Sequence, residues 1–162
     1  MVKPRIIIKP SKVVRVMDVI SIITIIYLII ISTHSYVNAP DIVPTHFDIN
    51  GNPDNWGSKI TLFIIPGLAL FFYLIFTIIS RFPHAFNYPI KITEENADRQ
   101  YTLALKFLSL IKLSIIILFT FISFKIYDGD VKIKTIIPFP FIFIICVLLM
   151  VIGYFIWARR IR

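Results

Sequence analysis

The chain has 162 residues, 57% of them hydrophobic and 15% aromatic, with 16% charged and a formal net charge of +8. A soluble domain carries about half apolar and about a quarter charged residues, so this composition excludes an ordinary soluble domain and points to an integral membrane protein. The positive charge does not imply nucleic acid, because the basic residues are spread over tails and loops beside apolar runs, with no basic domain to dock a duplex.

Four runs, at 16–32, 60–80, 107–124 and 136–157, are apolar enough to cross a hydrocarbon core that takes about 20 helical residues. Their isoleucines would favour strands in water, but within lipid each backbone group must be paired inside its own segment or in a closed barrel. Continuous apolar runs without dyad alternation select helices over a barrel. The predicted fold class is an all-α integral membrane protein of four transmembrane helices, forming a single membrane domain over 1–162, with a short extracellular hairpin-like loop between helices one and two.

The N-terminal tail carries Lys3, Arg5, Lys9, Lys12 and Arg15. A basic stretch before an apolar run also describes a secretory signal, and Val37-Asn38-Ala39 mimics its cleavage site. The run is longer than a signal core, however, and Pro40 would follow the cut and block it, so the first helix is expected to be retained. Asp18 stands near the start of this helix, where an unpaired charge is costly.

Pro40 to Lys59 is a polar segment dense in turn formers, carboxylates, histidine and aromatics. Thr45, Phe47 and Ile49 alternate with His46 and Asp48 and lead into Asn50-Gly51, the dipeptide best suited to a type I′ hairpin turn. Asp48, Asn50, Asn52 and Asp54 recur at alternate positions like early calcium ligands. Pro53 in place of the turn glycine and Lys59 in place of the last glutamate argue against an EF-hand. His34, His46, Asp41, Asp48 and Asp54 could supply zinc only if the loop folded back on itself, with His46, Asp48 and Asp54 the candidate ligands. Ser58, His46 and Asp41 share the loop, but nothing in the sequence fixes a catalytic geometry among them.

Recognition suits these residue types best: Asp41, His46, Asp54 and Lys59 as polar contacts, Phe47 and Trp56 as apolar anchors, facing an extracellular peptide or a membrane-protein partner. The competing structural reading pairs Asp41, Asp54 and Lys59 within the loop, so that they fasten two helices together. No enzymatic activity and no cofactor are expected. The alternatives from other classes are a metal-dependent membrane enzyme using His46 with nearby aspartates, and a structural or accessory subunit of a transporter.

Farther along, Pro66-Gly67 should bend the second span. Arg81 to Pro89 reads as extended and turn-rich, and Thr93 can cap a helix with Glu94 and Glu95 in its first turn, running through Tyr101 into the third span. Such a helix could pass occupancy of the outer loop to a cytoplasmic partner. Lys112 lies within the third span, on the same side as Asp18, so the two either pair or Lys112 snorkels to the headgroups. Pro138 and Pro140 fall at the opening of the fourth span, where proline is tolerated. Cys146 lies deep in that span and reads as a small apolar filler.

Basic residues set the orientation. The N-terminal tail, a second loop with Arg81, Lys91, Arg99 and Lys106, and the C-terminal Arg159, Arg160 and Arg162 outweigh Lys59, Lys125, Lys132 and Lys134 in the other two loops. Both termini are therefore expected in the cytoplasm of a multi-pass cell-membrane protein, with the polar segment outside.

The polar segment resembles the family catalogued as domain of unknown function 1648, DUF1648, found in SdpI-like bacterial immunity proteins. Its pattern stands here as Pro40-Asp41, Pro44-Thr45-His46-Phe47, Gly51-Asn52-Pro53-Asp54 and Lys59, and Asn87-Tyr88-Pro89, Thr93-Glu94-Glu95-Asn96 and Gln100-Tyr101 are similar to the continuation in many members. The resemblance implies a polytopic membrane protein whose activity is protection of a producer cell from a secreted toxin, with a signalling role beside it.

Overall fold

The computed structural model describes residues 3–48, 52–127 and 138–161. Four long helices dominate: α1 (Lys12–Asn38), α2 (Ile64–Ile79), α3 (Ala97–Tyr127) and α4 (Pro138–Arg160). With the 3-10 turn Lys59–Phe63 leading into α2, each is long and apolar enough to cross a membrane. Most of their isoleucine, leucine and phenylalanine side chains face outward, as they must where lipid is the solvent.

Helix α1 begins at Ser11, whose hydroxyl accepts from Val14 N–H. It runs six residues past the predicted apolar stretch, because Thr33, Ser35 and Asn38 donate their side-chain groups to the carbonyls of Ile29, Ile31 and His34 and so remain satisfied inside the helix. Its buried face, Ser21, Ile25, Leu28, Ser32 and Ser35, repeats at alternating steps of four and three, the spacing of a seam between near-parallel helices. The serines let neighbouring backbones approach, while Ile25 and Leu28 meet Ala69 of α2 and Ile116 of α3 in the bundle core. Helix α3 packs along α1 and α2, and α4 packs against α3.

Pro66 sits in the first turn of α2, just after the 3-10 segment, where a missing N–H is least costly. The expected mid-span bend is thus a change from 3-10 to α geometry at Phe63 and Ile64. Helix α3 begins at Ala97, three residues later than Glu94. A preparatory turn precedes it, in which Ala97 N–H donates to Thr93 O and Thr93 N–H donates to Asn96 Oδ1, half of a capping box closed by asparagine. At 31 residues, α3 is about 46 Å long and exceeds a hydrocarbon core of about 30 Å.

Both chain ends gather where α3 starts. Tyr101 Oη donates to Pro4 O, while the Gln100 amide donates to the carbonyls of Ala158 and Ile161 at the end of α4. Ile92, Ala97 and Tyr101 form a second small core there, with Ile8, Tyr88 and Ile90 against it. Tyr88 Oη donates to Pro83 O, and Lys3 donates to Phe86 O with its ammonium over the Tyr88 ring. This terminal end lies opposite the polar segment.

Candidate functional site

The polar segment folds as strands β1 (Ile42–Phe47) and β2 (Pro53–Ser58), which pair antiparallel. Helix α1 stops at Ala39, an extended cap whose N–H returns to Ser35 O, and Pro40 cannot continue the helix. Asn50-Gly51 and the type I′ turn expected there lie outside the described residues. Beside them, Asp48 N–H donates to Asn52 O, and the Asp48 carboxylate accepts from Asn52 N–H and from the Asn52 amide.

At the base of the strands, Lys59 N–H donates to Asp41 O, and Lys59 Nζ lies 3.0 Å from Asp41 Oδ1 and 5.1 Å from the Tyr36 ring centre. Tyr36 packs against Phe63, so the last turn of α1 and the entrance to α2 meet under one lysine. The Asp41 carboxylate is 91% exposed, which makes its ion pair weak by itself. The backbone bond and the aromatic contact carry more of the closure.

The register is irregular. Pro44 pairs with Trp56 and His46 with Asn55, leaving Thr45 extra on β1; Phe47 then pairs with Pro53, leaving Asp54 extra on β2. Bulges re-aim side chains, and here His46 Nδ1 comes within 2.5 Å of Asp54 Oδ1 on the exposed surface. Thr45 turns over Gly57, where an added Cβ would lie 2.9 Å from Thr45 Cγ2. A side chain at position 57 would therefore have to displace Thr45.

Of the residues singled out from sequence, the structure joins His46 to Asp54 and Asp41 to Lys59. Trp56 is exposed on β2, and Phe47 contributes its backbone to the pairing while its side chain lies outside the described residues. Among the described residues no three His, Cys, Asp or Glu side chains gather as a metal would need, and the Asp48 carboxylate bonds to Asn52.

Beneath the hairpin lie two cavities not foreseen from the sequence. One, about 170 Å³, is bordered by Ser32, Ser35, Thr45, Thr61 and Ser123 among apolar neighbours. The other, about 260 Å³, lies under Val43, Pro44 and Trp56 and beside Asn38 and Leu62. Ser35, Pro44, Leu62 and Ile126 border both. The spacing of Ser32 and Ser35 on the buried face of α1 was the available clue, but it also reads as ordinary helix packing.

Inside the bundle, Lys112 is only 3% exposed and its Nζ lies 2.6 Å from Asp18 Oδ1. It also donates to Thr77 Oγ1 at 3.1 Å and sits over the Tyr73 ring, joining α1, α2 and α3 at one ammonium. The half-buried Asp18 carboxylate together with these added contacts satisfies the buried lysine without snorkelling.

Four apolar helices with a hairpin between the first two define a multi-pass membrane protein. The family model described as Domain of unknown function (DUF1648) matches residues 22–70, which run from α1 across the hairpin into α2. An uncharacterized protein of Archaeoglobus fulgidus is 34% identical over 97 residues, covering 51% of this chain and 52% of that relative. The chain thus spans about half the length of the curated relative it matches. No solved structure matches.

Proposed function

We propose that this chain is a non-enzymatic recognition protein of the cell membrane, binding an extracellular peptide or a membrane-embedded partner through the β1–β2 hairpin. The observation that carries the reading is the hairpin's construction: its base is fastened through Lys59, Asp41 and Tyr36, while His46, Asp54 and Trp56 stay exposed above two small cavities. A held frame with exposed aromatic and charged side chains suits binding at low ordering cost. The distribution of basic residues supports an outward hairpin with both termini in the cytoplasm. An SdpI-like role, either immunity to a secreted toxin or signalling, is the form of recognition that the resemblance of the polar segment implies.

The test is photocrosslinking in cells from a photoreactive residue at Asn55 or Trp56. The expected result is a discrete peptide or membrane-protein adduct that disappears with Asp54→Ala. Adducts confined to the chain's own helices would overturn the proposal, and stoichiometric zinc lost on His46→Ala would replace it with a metal-dependent activity.

A further inference from the structure

At the terminal end, the extended segment before α1 lies beside the connection from α2 to α3, and the two line an open cavity of about 410 Å³. Arg5, Arg81 and His84 border it, with Ile6, Phe82 and Leu105 among its apolar walls and no carboxylate in the lining. Neither guanidinium takes part in an ion pair among the described residues. The Ser80 hydroxyl already donates to Thr77 O, so Arg5, Arg81 and His84 are the side-chain donors in the lining that face an anion. The position matters as much as the charge. Helix α2 ends at Ile79, and Ile78, Ile79 and Phe82 are exposed beside the cavity, as is Ile7, 97% exposed on the same segment as Arg5.

We propose that this cavity seats the phosphate headgroup of an anionic phospholipid, held between Arg5 and Arg81, with its acyl chains along Ile78, Ile79 and Phe82. Planar guanidinium groups suit phosphate oxygens in two-point contacts. The apolar flank favours a lipid over a soluble phosphate, which would leave those side chains without a partner. The backbone ahead of Arg5 is itself fixed, through Tyr101 to Pro4 O and Lys3 to Phe86 O, before any lipid arrives.

The test is native mass spectrometry of the full chain in detergent with equal amounts of phosphatidylglycerol and phosphatidylcholine, with and without millimolar inorganic phosphate. The expected result is a retained phosphatidylglycerol adduct that phosphate does not displace, weakened about fivefold per arginine removed in Arg5→Gln and Arg81→Gln. Lys9→Gln with Lys12→Gln, which alters basic residues outside the cavity, should leave the adduct in place, and Arg5→Lys with Arg81→Lys, which keeps the charge but loses the two-point contacts, should weaken it less than the glutamine pair does. Undiminished lipid in the doubly neutralised chain would overturn the proposal. So would displacement by phosphate, or equal loss in the Lys9 and Lys12 variant.

Discussion

Lys112 on α3 and Asp18 on α1 meet at 2.6 Å, 94 residues apart in sequence, and the contact turns two costly intramembrane charges into a joint between helices. Asp18→Ala should strand the ammonium and destabilise the bundle by about 2–3 kcal/mol, below the full range for a buried pair because Asp18 is half-exposed and Thr77 and Tyr73 still face the lysine. Lys112→Met combined with Asp18→Asn removes both charges and should recover much of that loss. Thermal unfolding in detergent would decide it: equal melting of Asp18→Ala and the parent would show that the pair contributes nothing.

Gly57 is held open for Thr45. Gly57→Ala should distort the hairpin at a cost of about 1–3 kcal/mol, the usual range for overpacking, and Thr45→Ser should relieve it by removing the methyl that the new Cβ meets. Hydrogen exchange across β1 and β2 is the readout. Faster exchange in the single variant and recovery in the double are expected, and no difference between them would rule out the clash.

The His46–Asp54 pair is exposed, with 68% and 44% of the two side chains accessible. Asp54→Asn should therefore change stability by less than about 1 kcal/mol. If the hairpin binds as proposed, the same substitution abolishes crosslinking while the melting temperature holds. A variant that loses both together would assign the pair to the frame rather than to the binding surface.

Burial, reinforced by the nearby phenols of Tyr154 and Tyr101, pushes the Tyr88 phenol above its ordinary range. The folded state holds that proton more tightly than the unfolded chain, so the stabilisation is complete below about pH 10, the unfolded value, and is lost as pH rises beyond it. Tyr88→Phe should flatten the alkaline fall in melting temperature. An unchanged alkaline limb would show that Tyr88 does not control it.

The spans were legible because lipid imposes a rule that short windows can express: about 20 apolar residues with few charges. Their ends were less legible, since α1 continues to Asn38 on serine, threonine and asparagine side chains that feed their own helix's carbonyls, a capacity composition does not display. The strand signal in Thr45-His46-Phe47 was visible, but the two bulges that bring His46 to Asp54 depend on pairing across the loop. Gln100 and Tyr101 stood in the sequence as part of a family pattern and of the helix leading into the third span. What they hold, Pro4 and the end of α4, comes from distant parts of the chain.

Gln100 and Tyr101 are consecutive, yet one grips the end of α4 and the other the segment ahead of α1. The start of α3 therefore fastens two separate lengths of chain at adjacent residues. Any tilt of α3 set by events at the hairpin would swing both lengths in concert. Fluorophores placed near Pro4 and Ile161 should keep a constant separation while both move relative to the end of α2.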